Sequence, residues 1–135
     1  MLVVDASVLV TALVDDDADG DAGRARLRGE ELAAPELIDL EVVSALRCAV
    51  STSAMPSRRA FLAIVDLIGM PLVRAPHHRL LTRCWELREN LTPYDAAYVA
   101  LAEALGAPLL TADARMASAP GIRCAVEIVA SARDR

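Results

Sequence analysis

Lysine is missing from this chain: all 14 basic residues among its 135 are arginine. A P-loop, which places a Lys on its phosphates, is therefore excluded, and no Gly-rich phosphate cradle occurs either. Schiff-base chemistry is excluded with it. Aromatic side chains make up only 3%, so the 55% hydrophobic fraction is largely Ala, Val and Leu. Such a composition packs helices closely on a sheet and leaves an apolar face for a partner. Cysteine is scarce too. Cys48, Cys84 and Cys124 are odd in number and far apart, which argues against a disulfide framework or a zinc knuckle. They read as small buried residues of a cytoplasmic protein. Excess positive charge is also lacking: 14 basic against 19 acidic residues gives −5, the wrong sign for gripping nucleic acid by bulk charge. A basic leader is absent and Asp5 interrupts the apolar N-terminus, so neither a signal peptide nor a membrane span is expected.

What is present is organised around residues 92–113. Thr92 is a good N-cap, Pro93 suits the first helical position, and Gly106 followed by Pro108 stops the helix. Between them the helix is apolar almost all round until Glu103, which predicts burial on more than one side. Leu109 and Leu110 then form a short apolar strand running to Thr111 and Asp113. The unit carries one carboxylate at a helix N-terminus, Asp95, and one at a strand C-terminus, Asp113. In open parallel sheets those are the places where ligands are held.

The rest of the chain repeats this alternation. Leu2–Val4 reads as a buried strand ending at Asp5, with Ser7 expected to cap a helix over Val8–Val14. An acidic loop at 15–21 leads to a small helix around Arg24, Arg26 and Arg28, then a strand at Leu32–Ala34. Pro35 opens a helix to about Val50, with Leu37, Leu40, Ser44 and Cys48 expected on one face and Ile38, Val42, Ala45 and Ala49 beside it. A turn at 51–57, a helix to about Ile68 and a strand at Leu72–Val73 follow. The next helix, after Pro76-His77-His78, is expected to pack through Leu80, Leu81, Cys84, Trp85 and Leu87. A short turn of helix at 115–117 and a strand at Ala125–Val129 complete one domain over 1–130, with a loose tail at 131–135. Strands alternating with helices give an α/β fold, a parallel sheet covered on both faces.

Parallel strands that both end in Asp bring Asp5 and Asp113 to one edge of the sheet, where a helix N-terminus adds Asp95. Glu41 is the fourth acid: its i+3 and i+4 neighbours are Ser44 and Ala45, so no helical ion pair accounts for it. Singly, each has an ordinary alternative as a turn, a cap or a solvated face. Together, four carboxylates in one crevice repel unless something positive lies among them. Oxygen donors without nearby His or Cys select a hard cation, Mg²⁺ or Mn²⁺. Such a cation acidifies a water and holds a phosphodiester oxygen, which is hydrolytic chemistry needing no Lys, Cys or Ser nucleophile. Arg115, two residues past Asp113, is placed to meet a phosphate, or is a surface Arg on a turn. Ser7 and Thr111 either position the acids or a water, or are plain cap and strand-end hydroxyls.

These blocks match a family. Leu-Val-Val-Asp-Ala-Ser at 2–7, Pro35 through Glu41 to Leu46-Arg47, Leu-Thr-Pro-Tyr-Asp-Ala-Ala-Tyr-Val-Ala-Leu-Ala at 91–102 and Leu-Leu-Thr-Ala-Asp-Ala-Arg at 109–115 resemble the PIN-domain ribonucleases. The likeness is to the toxin members of bacterial toxin–antitoxin pairs, the VapC type. It implies a three-layer fold with a five-stranded parallel sheet, and RNA cleavage with Mg²⁺ or Mn²⁺ bound by Asp5, Glu41, Asp95 and Asp113. Thr111 matches the supporting hydroxyl. Homodimers and a cognate antitoxin over the active-site groove are implied as well. Met116 stands where some relatives carry a further acid.

Several signals point elsewhere and are weaker. Asp15-x-Asp17-x-Asp19-Gly20 starts like a calcium loop, but position 12 is Arg26 where a Glu is needed, so a solvated acidic loop is the better account. His77-His78 reads as surface or capping. Trp85 and Phe61 are expected in the core. Tyr94 and Tyr98 flank Asp95, with packing preferred over base stacking. The Arg residues at 24, 26, 28, 58, 59, 79, 83, 88 and 115 are candidates for a basic rim around the acids. The rival from another class is a non-catalytic PIN-like module that only binds a protein. Receiver-like and haloacid-dehalogenase-like phosphotransfer falls with the missing Lys.

Overall fold

A computed structural model describes residues 1–129. The tail expected at 131–135 and the boundary at 130 lie outside the described residues. In chain order the elements are β1 (Leu2–Val4), α1 (Ala6–Val14), α2 (Ala18–Leu27), β2 (Leu32–Pro35), α3 (Leu37–Ser51), α4 (Ser57–Gly69) and β3 (Leu72–Ala75). A 3₁₀ turn (His78–Leu80) then leads to α5 (Leu81–Glu86), α6 (Pro93–Leu105), β4 (Leu109–Thr111), α7 (Ala114–Ser118) and β5 (Val126–Ile128). The five strands form one parallel sheet in the order β3-β2-β1-β4-β5. The chain winds outward from β1 through β2 to β3, then crosses back to lay β4 on the other side of β1. The strand order therefore reverses between β1 and β4, and the crevice outside their carboxyl ends is the switch point of the sheet.

The central strands are short, apolar runs buried on both faces, as a parallel sheet under two helical layers requires. Helix α6 is buried from Ala96 through Ala102. Its small residues let it lie close to β1 and β2, and Thr92 caps it through the Asp95 N–H at 3.2 Å. Gly106 ends it in the left-handed conformation, φ 61°, with its N–H returned to the last turn. This unit is as the sequence predicts. Helices α1 and α2 meet through Gly23 on Ala12, and a Cβ on Gly20 would sit 1.8 Å from the Asp15 carbonyl oxygen, so only glycine fits there. Arg24 closes the same corner by donating to the carbonyls of Ala12 and Asp15 at the end of α1.

Several local expectations are corrected. Asp5, not Ser7, caps α1: its carboxylate accepts from the Ser7 and Val8 N–H groups, so the helix starts at Ala6. Helix α2 begins at Ala18, inside the acidic run, because Asp19 and Asp21 suit a first helical turn. Pro35 ends β2 rather than opening α3, and the packed face of α3 is Ile38, Val42 and Leu46. Leu40 points outward at 75% exposure. In α5 only the flanking Leu80 and Leu87 are buried; Leu81 and Trp85, the latter 68% exposed, face solvent, as does Phe61 on α4. The cysteines are not core residues either: Cys48 is exposed and the other two are half-buried. These misplacements share a cause. Large apolar side chains stand on the outer faces of α3, α4 and α5 as well as on the inner ones, so apolar character alone does not pick out the buried face.

Candidate functional site

The crevice at the switch point is built by four elements. β1 delivers Asp5 at its end, β4 delivers Thr111 and then Asp113, α6 enters with Asp95 in its first turn, and α3 contributes Glu41 from its second turn. Asp5, Glu41, Asp95 and Asp113 line one pocket of about 150 Å³ together with Ala6, Ser7, Tyr98 and Met116. Larger concavities exist, such as a groove of about 400 Å³ between α3 and α4, but that one is lined mainly by apolar residues and contains no carboxylate. Met116 is buried in the wall, so the pocket has an apolar side there.

Three of the four carboxylates, those of Asp5, Asp113 and Glu41, have anchors of their own. Asp5 is buried between two hydroxyls: Ser7 Oγ donates to Oδ1 and Thr111 Oγ1 to Oδ2. Those hydroxyls are themselves held, Ser7 Oγ by the Ala112 N–H at 3.2 Å and Thr111 Oγ1 by the Asp113 N–H at 3.0 Å. The parallel register makes this possible, because Val4 lies beside Leu110 and the next residues, Asp5 and Thr111, are then neighbours across the ladder. Asp113 caps α7 and takes a two-pronged contact from Arg115, Nε at 3.1 Å and Nη2 at 2.8 Å. Arg115 is therefore forked onto an acid of the pocket rather than free, on a side chain 89% exposed. Glu41 accepts a hydrogen bond of 2.6 Å from the Tyr98 hydroxyl.

The electrostatics follow from these anchors. Burial pushes the Glu41 carboxyl above its usual range, and the charges of Asp95 and Asp5 add to that against the Tyr98 bond. Burial likewise raises Asp95, with Asp113 and Asp5 adding to it, while the Thr92 contact and Arg115 pull the other way. The Arg115 bond holds Asp113 below the ordinary carboxylate value. The pocket thus carries an excess of negative charge that its residues do not neutralise. Among the described residues no three His, Cys, Asp or Glu side chains are already drawn together into a coordination shell. The donor chemistry, four carboxylates with two hydroxyls and neither imidazole nor thiol, nonetheless fits a hard divalent cation.

For Tyr98 the sequence favours packing over base stacking, and the ring does pack, at 2% exposure; the bond from its hydroxyl to Glu41 lies beyond that expectation. The signal was present. A tyrosine on an otherwise apolar buried helix must find a partner for its O–H, and position 98 is one turn from Asp95 on the same face. Tyr94, by contrast, is exposed. His77 performs a capping role, its Nε2 accepting from the Leu37 N–H at the start of α3 at 3.0 Å. The basic rim is thinner than the sequence suggests. Arg24 is tied to Asp21, Arg26 to Glu30 and Glu127, Arg59 to Asp16, and Arg83 to Glu86 and Glu103.

Comparison with known proteins agrees with this architecture. Ribonuclease VapC1 of Mycobacterium tuberculosis is 44% identical over 128 residues, which is 94% of this chain and 96% of that protein. Among solved structures, M. tuberculosis VapC20, described as a toxin cleaving the sarcin–ricin loop, superposes with a TM-score of 0.70 at 14% identity, covering 91% of this chain and 97% of its own. VapBC2 from Rickettsia felis, solved bound to a DNA fragment from its promoter, superposes with a TM-score of 0.68 at 14% identity over 94% of this chain and 97% of the other. At that identity the superpositions speak for the fold alone. A family model described as the PIN domain matches residues 2–122, and with it the strands and helices that carry all four acids. This chain belongs to the PIN-domain family.

Proposed function

We propose that the chain is a metal-dependent endoribonuclease, the toxin of a toxin–antitoxin pair, working in the cytoplasm. The observation that carries this reading is the meeting of four carboxylates, distant along the chain, in one pocket at the switch point of the sheet. Relatives named as ribonucleases along nearly the whole length support the reaction class. Asp5, Glu41, Asp95 and Asp113 would hold Mg²⁺ or Mn²⁺, with waters completing the shell as Mg²⁺ usually keeps them. When bound, such an ion supplies charge for a phosphodiester oxygen and makes a water more acidic.

The chain's own residues do the rest. Ser7 and Thr111 fix the Asp5 carboxylate in one orientation. Arg115 neutralises Asp113 while the pocket holds no cation, and is within reach of a phosphate once Asp113 is engaged elsewhere. Exposed Leu40, Phe61, Leu62, Val65 and Ile68 on α3 and α4, and Leu81, Trp85 and Tyr94 beside α5 and α6, support protein partners: a second copy of the chain and a cognate antitoxin. No helix among the described residues is long and apolar enough to cross a membrane.

The test is cleavage of cellular RNA by the purified chain. Internal cuts should appear with Mg²⁺ or Mn²⁺ and stop with EDTA. A chain that binds protein partners but leaves every RNA intact with either ion would instead be the non-catalytic module.

A further inference from the structure

Glu41 differs from the other three acids in what it needs. The three aspartates are short, and two of them are held by groups of their own strand ends and caps. Glu41 has one more rotatable bond, sits half-buried, and among the described residues has no Arg paired with it. Left to itself, that side chain would sample several rotamers, and each would place its oxygens differently in the pocket. What holds it is the phenol of Tyr98.

Tyr98 is well suited to hold something still. It rises from the middle of α6, among Ala96, Ala97, Ala100 and Ala102, where small neighbours fix the helix close to the sheet. Only two torsions separate its ring from that backbone. The ring is buried, and its hydroxyl donates to Glu41 Oε1 at 2.6 Å. One rigid group therefore joins two elements of the site: α6, one turn after Asp95, and α3 through Glu41.

We propose that Tyr98 is a positioning residue, whose hydroxyl fixes the Glu41 carboxylate in the acidic pocket so that it meets a divalent cation ready oriented. This rests on the metal-dependent reading above and deepens it. The competing account is that Glu41 merely satisfies a buried phenol.

Tyr98→Phe separates the two, since it keeps the ring and removes one oxygen. Binding of Mn²⁺ to the full chain without RNA, followed by calorimetry or by loss of the free-ion EPR signal, should weaken by about tenfold, as for other groups that orient a ligand. The turnover rate should fall with the KM for RNA unchanged, and circular dichroism should be native. Wild-type Mn²⁺ affinity and kcat in a folded Tyr98→Phe protein would overturn the proposal. A second measurement needs no variant. The chain has only two tyrosines, so ring-labelled protein gives one ¹³Cζ resonance from Tyr98 and one from exposed Tyr94. Adding Mg²⁺ should shift the Tyr98 resonance and leave Tyr94 in place; two unmoved signals in a protein that binds Mg²⁺ would likewise overturn it. Failure of the wild-type chain to bind either ion is a different result, and refutes the metal reading on which the inference stands.

Discussion

Asp5→Asn should lower RNA cleavage by about 100-fold or more while the protein stays folded. Asp5 does two jobs that this exchange pulls apart. As a helix cap, its Oδ1 accepts from the N–H groups of Ser7 and Val8, and an Asn oxygen does the same. As the buried centre of the acidic pocket it supplies a charge, which Asn does not. The Thr111 hydroxyl that donates to Oδ2 can turn and accept from the new amide. Alanine would be a poorer probe, because losing the cap costs about 1 kcal/mol in its own right. Single-turnover cleavage with Mn²⁺, alongside a thermal melt, reads both jobs at once. Parental cleavage by the folded variant would remove Asp5 from the mechanism.

Glu41→Gln should change the sign of its effect on stability according to whether a divalent ion is present. In the metal-free protein, burial and the neighbouring acids hold Glu41 and Asp95 above their unfolded values. The folded state then binds more protons than the unfolded one between the ordinary carboxylate value and the raised one. Stability accordingly grows as pH falls through the raised values, and is lost again as pH rises through them. Asp113 works the other way: Arg115 depresses it, so its stabilisation is full above the ordinary carboxylate range and disappears only as pH falls through its lowered value. Near neutrality Glu41→Gln therefore removes a repelled charge, raises the metal-free melting temperature by a few degrees and flattens the slope between the ordinary carboxylate value and the raised one. With saturating Mn²⁺ the order reverses. Ligand at a hundred times its dissociation constant stabilises the native state by about 2.7 kcal/mol, and the variant forfeits part of that. Scanning calorimetry with and without Mn²⁺ across this pH range measures all of it. A metal-free variant that melts below the wild type would show that the carboxylates are not in mutual repulsion.

The parts of this molecule that could be read in advance are those whose signals are local and redundant. Thr92, Pro93, Gly106 and Pro108 mark α6 from both ends, and strands ending in Asp5 and Asp113 can meet only if the sheet is parallel. The four acids were legible for the same reason. The three aspartates end or begin an element, where polar residues are common, and Glu41 stands inside a helix with no ion-pair partner at i+3 or i+4; a shared edge makes their like charges stand out. What was not legible depends on three-dimensional surroundings. Leu40, Phe61 and Trp85 have core chemistry and surface positions, and where apolar residues stand on both faces of a helix their pattern does not tell the two apart. Ser7 and Asp5 compete for the same cap, and the carboxylate wins because β1 ends with it already facing the first turn. Arg24, Arg26, Arg59 and Arg83 look like a binding surface in the sequence and are ion-pair partners in the fold. The bond from Tyr98 to Glu41 spans 57 residues and two helices, beyond the reach of any spacing rule.

The central claim is that the pocket bounded by Asp5, Glu41, Asp95 and Asp113 takes a divalent cation, and anomalous diffraction from crystals soaked in Mn²⁺ tests it most directly. The account predicts a Mn²⁺ peak within coordinating distance of these carboxylate oxygens. Manganese bound elsewhere on the protein, with none among these four side chains, would contradict it.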